Sequence, residues 1–387
     1  MASVAFFYSG RQARLIMYPK ILNIYLLTCV LFFSLSGCGD SDSEVISFGK
    51  TSTIQLADSL EIQETDDRFI GELVDADVAI DPLRIYVADR KMQRVAVINS
   101  NGSIEQFIGG PGKGPGELGR PVFLSVDGAR LVVAQQRWRG FTVFDTSGAY
   151  IDNHRLPDGY WVGGYDLFHF GDGYILPITK FNPQKEGTLK LPSDQKTVAK
   201  LDSKFDVKEM IFGSYPDLYQ EGEYISQRRT MDISVDSLAA VGYQLVPTVR
   251  LYNLNKEEYP MVQKVSLGHP EFHRPKEETP LGIAMDDQSE LYERMSSYSL
   301  VKGTFLLRDS IVVQHFANHS KGYHARTEFN PSEQEYYATL GVIGSTERLH
   351  LTLPGRLLAV DEKDRLYVEL NPTPDERKIG IYEVNWP

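Results

Sequence analysis

The stretch from Ile85 to Leu118 constrains this chain more than any other. IYVAD at 85–89 and VAVIN at 95–99 are β-branched and aromatic runs, so each predicts a strand. Ser100-Asn101-Gly102 predicts a tight turn, because the Asn-Gly pair tolerates the positive φ that hairpin turns require. SIEQFI predicts a third strand, and PGKGPGEL, rich in Gly and Pro, can continue no regular element. The same order returns at once in LVVAQ-QRWRG-FTVFD-TSG-AYIDNHRL, with Gly148 standing 46 residues after Gly102. A repeat of that length made only of short strands is the signature of a propeller blade.

YVAD at 86–89, Arg94 five residues after Asp89, VAVINSNG at 95–102 and GKGPGEL at 112–118 resemble an NHL-type blade. They are most similar to blades of the six-bladed propeller lipoproteins of Bacteroidota, the TolB-like group included. The resemblance implies a closed ring, and it implies that Asp89 and Arg94 tie a loop to their own blade. Some NHL-type propellers are lyases or lactone hydrolases with a metal and histidine at the channel mouth, but no residue here matches those sites.

Residues 1–37 carry Arg11, Arg14 and Lys20, no acid, and an apolar run from Ile21 to Leu35. That run is too short for a spanning helix and predicts a secretory signal. It ends in Leu35-Ser36-Gly37-Cys38, which resembles a lipobox, so cleavage would leave a lipid on Cys38; Met17 is an alternative start. Residues 38–50 predict a polar, acidic tether, and 51–387 the propeller domain. The expected localisation is therefore export with lipid anchoring to the outer membrane, on its periplasmic or surface side. The other cysteine, Cys29, lies in the signal, so the mature chain has no disulfide. Removing the signal moves the net charge from −12 to −15, which argues against nucleic acid as a partner.

The expected fold is all-β, with six four-stranded antiparallel blades. Blade one takes DADVAID, RIYVAD, RVAVIN and SIEQFI; blade two takes PVFLSVD, RLVVAQ, FTVFD and AYIDNHRL. Blade three takes YDLFHF, YILPIT, TVAKLD and KEMIFG; blade four takes MDISVDS, LAAVGYQL, TVRLYNL and PMVQKVSL. Blade five takes YSLVKGTFLLRD, SIVVQHF, HARTEF and RLHLTL, with Ser332-x-x-Glu335 expected to cap a short helix. Blade six has RLLAVDEKD, RLYVEL and IGIYEVN and lacks a fourth strand, which TSTIQLADSLEI at 51–62 can supply while removing an exposed edge.

In such blades the loops between strands two and three share a face with the blade connectors, and the remaining turns emerge opposite. Sorted this way, the turn face is acidic, with Asp127, Asp145, Asp172 and Asp202 among its residues. The connector face gathers cations and rings: Arg137, Trp138 and Arg139, then Tyr160 and Trp161, Arg228 and Arg229, His273 and His315. Rings with polar tips suit sugars or peptides, and arginines suit carboxylates. These nine residues are the candidate ligand contacts, and the expected partner is a small molecule, glycan, peptide or envelope protein. The alternative is that Asp and Gly are simply good turn residues, which leaves everything else to the longer loops.

PGKGPGEL lacks the ending and following helix of a phosphate loop. His315, His319 and His324 are the only clustered metal candidates, and they sit around one loop without repeated spacing. No catalytic residue, cofactor or metal is assigned. A metal-dependent lyase or hydrolase and a purely structural envelope scaffold stay open as alternatives to a binding protein. For the anchor, Cys38→Ser is expected to abolish lipidation and release the protein from membranes, read by partition after a carbonate wash; full retention of the variant would refute the lipobox reading.

Overall fold

Strands that are apolar on both faces must be covered on both, and the middle strands of each repeat have that character. In the computed structural model Leu83–Asp89 and Arg94–Asn99 are buried almost throughout, while Tyr150–Arg155, a fourth strand, is mostly exposed. Alternate residues serve alternate neighbours. Val87, Ala96 and Ile98 pack toward the last blade with Leu358, Ala359 and Ile379. Tyr86, Ala88, Val95 and Val97 pack toward blade two with Leu124, Val126 and Val133. Each sheet therefore stands radially, with its first strand at the axis and its fourth at the perimeter.

The structure describes residues 53–135, 140–180, 194–234, 236–280, 288–319, 334–371 and 376–385, together with the dipeptides at 8–9 and 12–13. Cys38, the tether and Arg137, Trp138 and Arg139 lie outside the described residues. Six antiparallel blade sheets form, five with their strands in chain order and the last completed by an N-terminal strand, besides a two-stranded pair at 8–13. Blade one is Leu73–Ile80, Leu83–Asp89, Arg94–Asn99 and Ile104–Ile108; blade two is Pro121–Asp127, Arg130–Gln135, Gly140–Asp145 and Tyr150–Arg155. Blade four is Arg229–Ile233, Leu238–Tyr243, Val246–Asn253 and Met261–Ser266. Short helices at Asp217–Glu221 and Gln288–Ser296 occupy the connectors on either side of it.

Blade three departs slightly from expectation. Its second strand, Gly173–Lys180, pairs with two short inner strands, Tyr160–Val162 and Phe168–Phe170, followed outward by Val198–Leu201 and Val207–Phe212. The break between the two falls at Gly163-Gly164, where a Cβ on Gly163 would lie 2.0 Å from the Arg229 guanidinium. Blade five corrects the sequence reading. Its third strand is Gln334–Val342, between Ile311–His319 and Arg348–Leu353, and not HARTEF, which lies outside the described residues. Glu335 belongs to this strand and caps no helix. Tyr336, Ala338 and Leu340 are buried in the interface with blade six, and that burial outweighs the capping pattern.

One device recurs at the turn face. The residue ending the third strand accepts backbone N–H groups two and four residues on: Asn99 from Asn101 and Ser103, Asp145 from Ser147 and Ala149, Asp202 from Lys204 and Asp206. Asp361, just after the first strand of blade six, accepts in the same way from Lys363 and Arg365. These bonds hold the Asp145 and Asp202 carboxyls below the usual range, together with the Ser147 hydroxyl and the Lys208 ammonium. Turn chemistry thus accounts for much of the acidity of this face. Asp89 behaves as the resemblance implied: fully buried, it accepts from the N–H groups of Gly71, Glu72 and Met92, with Arg94 3.8 Å away.

The first strands are sheet edges, so some of their backbone groups need partners from the next blade. Asp75 and Asp77 accept from the N–H groups of Leu124 and Val126 (2.9 and 2.8 Å), joining blades one and two. Ser125 donates to the Leu167 carbonyl, Asp166 accepts from Met231, and Asp232 accepts from Leu306. His315 is fully buried between blades five and six, with Nδ1 3.0 Å from the Tyr337 carbonyl and Nε2 3.3 Å from the Leu357 N–H. Those partners require the neutral Nδ1–H tautomer. Burial lowers its pKa to about 3, with nearby Lys302 and Arg356 assisting against the Tyr337 bond. Arg356 donates to the Leu73 and Val74 carbonyls and so joins blade six to blade one.

The expected closure is present. Thr53–Glu61 pairs antiparallel with Lys378–Asn385 and becomes the fourth strand of blade six, outside Arg356–Val360 and Leu366–Asn371. Leu60 and Ile62 complete the cluster between blades six and one. A buried chain of charges crosses this seam: Glu64 to Arg377 at 2.9 Å, Arg377 to Glu369 at 3.8 Å, and Glu369 to Arg356 at 2.8 Å. Removing one member strands a buried charge. Glu64→Ala is expected to lower stability by about 3–5 kcal/mol in denaturant unfolding. Glu105→Ala, which breaks the exposed pair with Arg84, should cost no more than about 1 kcal/mol.

Candidate functional site

All six first strands run from the connector face to the turn face, and around the axis they enclose a cavity of about 490 Å³. Its volume suits a small ligand. Apolar walls come from Val74, Val122, Leu124, Leu357 and Leu358. Connector residues Ile225, Ser226 and Arg228 and the helix residue Met295 border it at the connector end.

The charged lining is sorted along the axis. Arg228 immediately precedes the first strand of blade four, Lys302 is the third residue of Leu300–Leu307, and Arg356 opens Arg356–Val360, so all three stand toward the connector end. The Arg228 guanidinium donates to the Tyr165 hydroxyl and lies 4.7 Å from that ring's centroid. Lys302 is hemmed in by protein, and burial, with Arg356 and Arg228 adding repulsion, brings its pKa down to about 8. Arg90, also in the lining, is paired with Glu72.

Carboxylates lie deeper. Asp75 is held well above the usual range by burial, with Asp166 and Asp77 as like charges, against the Leu124 N–H bond and the Arg356 charge. Asp127 ends the first strand of blade two at the turn end. Burial pushes its carboxyl up to about 7, Asp77 adding and Arg130 opposing, and its Oδ1 is buried without a hydrogen-bond partner. His169, nearby in the same lining, is lowered by burial and by Arg130.

Of the nine candidate ligand contacts, Arg228 alone among the described ones lines this cavity. Tyr160 and Trp161 lie on the connector face but farther out, on the short strand paired with Thr179 and Lys180; Trp161 is 40 % exposed, and the Lys180 ammonium sits 5.8 Å from the Tyr160 ring. Arg229 is fully buried, donating to Thr179, Tyr215 and the Gln227 carbonyl, and so acts as a packing residue between blades three and four. His315 is the interblade joint already described and reaches no ligand surface. His273 is an exposed connector residue whose backbone pairs with Ser299. His319 meets Gln334 at 3.0 Å, and His324 lies outside the described residues. Among the described residues no group of three or more His, Cys, Asp or Glu could hold a metal ion.

Sequence reasoning passed over Asp75, Tyr165, Lys302 and Arg356 and read Asp127 only as part of the acidic turn face. The one local signal was Asp75 and Asp77 alternating within an otherwise apolar first strand.

A family model described as 6-bladed beta-propeller matches residues 37–294. Among solved structures, a DUF4221 family member from Bacteroides vulgatus matches with a TM-score of 0.63 at 11% identity, covering 87% of this chain and 99% of its own. A Bacteroides fragilis protein described as a candidate for export matches with a TM-score of 0.54 at 12% identity, covering 88% and 98%. At such identities these likenesses show the fold alone. A comparison with curated proteins finds no match.

The Asp127 carboxyl carries a pH signature. Its raised pKa means the native state binds more protons than the unfolded chain between about pH 4 and 7, so its contribution destabilises the fold as pH rises through that window. Asp127→Asn is therefore expected to raise the melting temperature at pH 8 and leave it nearly unchanged at pH 4, as thermal unfolding at the two pH values will show.

Proposed function

The chain belongs to the DUF5128 family of six-bladed β-propellers, and from that premise we propose that it is an envelope binding protein whose axial cavity takes a carboxylate-bearing ligand at its connector end. The observation that carries this reading is the convergence of Arg228, Lys302 and Arg356 on one end of the cavity. Three cations held close together repel one another, which adds to burial in lowering the Lys302 pKa, and an anionic group placed among them relieves that repulsion. Tyr165 and Gln244 add hydrogen-bonding groups, and the apolar walls suit the body of the ligand. The basic and aromatic connector face expected from sequence thereby narrows to its innermost part. Export and a lipid on Cys38 belong to the same proposal; the lipobox supports them, as does a fold shared with a Bacteroides fragilis protein described as a candidate for export. Among the described residues no helix is long and apolar enough to cross a membrane.

Hexanoate, a carboxylate with an apolar tail, is a minimal probe. Titration calorimetry is expected to show binding that Arg228→Ala and Lys302→Met each weaken at least tenfold, with hexanol failing to bind. Affinity should fall above about pH 8, where Lys302 loses its proton. Equal affinity for hexanoate and hexanol, or indifference to both substitutions, would overturn the reading.

A further inference from the structure

The cavity has two ends of opposite sign, and the second end says more about the ligand than the first. The interblade bonds act as rungs that align the first strands. Asp75 is level with Leu124, and Asp166 with Met231. Arg228 stands three residues before Met231, so its backbone lies roughly 10 Å nearer the connector face than the Asp75 and Asp166 rungs. Asp77, level with Val126, lies deeper still. The electrostatic neighbours agree with the sorting: Lys302 is affected by Arg356 and Arg228, Asp75 by Asp166 and Asp77, and Arg356 acts on both groups.

We propose that the cavity binds a short peptide with free termini, about three residues long, its carboxylate among Arg228 and Lys302 and its ammonium among Asp75, Asp166 and Asp77. This rests on the carboxylate reading above and adds to it a cationic group at the far end. The length follows from the spacing, since three extended residues span about 10 Å. The cavity's volume of about 490 Å³ accommodates such a molecule with its side chains. Apolar walls at Val74, Val122, Leu357 and Leu358 suit small apolar side chains, while Tyr165, Ser226 and Gln244 offer hydrogen bonds to peptide groups. Burial, with the like charges of Asp166 and Asp77 adding to it, holds the Asp75 carboxyl well above its usual range, and a ligand ammonium offsets that repulsion. Binding is therefore expected to release protons from the acidic end.

The test is calorimetry at pH 7.5 with trialanine, N-acetyl-trialanine and trialanine amide on the full-length protein. Trialanine is expected to bind, and blocking either terminus to weaken it at least tenfold. Asp75→Asn, whose amide oxygen can still accept from Leu124, should weaken trialanine at least tenfold and leave hexanoate unchanged. Trialanine and N-acetyl-trialanine binding alike would overturn the two-ended site. A lack of trialanine binding would overturn it too, and the hexanoate titration reports separately on whether the carboxylate reading survives.

Discussion

A propeller depends on the unpaired side of its innermost strands. Each first strand has one partner within its own sheet and turns its other edge toward the axis, where a buried, unmatched amide costs about 1–3 kcal/mol. Here every blade boundary carries a bond from a side chain to the neighbouring backbone, and no single residue type supplies it. Aspartates serve at three boundaries, Ser125 at one, His315 at another and Arg356 at the seam. The ring is held by this set of unlike joints as well as by the apolar faces between sheets.

That requirement also shapes the chemistry of the axis. Asp75, Asp77 and Asp166 are placed by their joints, and the same residues line the cavity, so the acidic end of the site is built from structural parts. Arg356 likewise both closes the ring and contributes a cation. Arg228, which also donates to the Tyr165 hydroxyl, and Lys302 carry the carboxylate end. A substitution such as Asp75→Asn is informative because it keeps the acceptor and removes the charge.

The strand rhythm was legible because alternation and turn chemistry are local. The residues at 99, 145 and 202 announce their turns, and a count of strands already required the N-terminal segment to complete blade six. Blade five was misread where two local signals competed: Ser332-x-x-Glu335 suggested a helix cap, while Gln334–Val342 is a strand whose neighbours are distant in sequence. The site was legible only through Arg228, a cation in a connector. Lys302 and Arg356 sit inside strand patterns, and their place beside the axis depends on which strand of a blade is innermost and on six blades meeting. Arg229 and His315 show the converse, since a charged or imidazole side chain near a loop can be wholly buried where partners meet most of its polar atoms.

The direction of the closing strand sets the posture of the molecule. Lys378–Asn385 runs toward the turn face and Thr53–Glu61 runs back against it, so Thr53, opposite Asn385, stands at the turn face. The chain between Cys38 and Thr53 spans at most about 50 Å when extended. The segment leading in from Cys38 therefore joins the ring at the turn face, on the side opposite the end of the cavity bordered by Arg228.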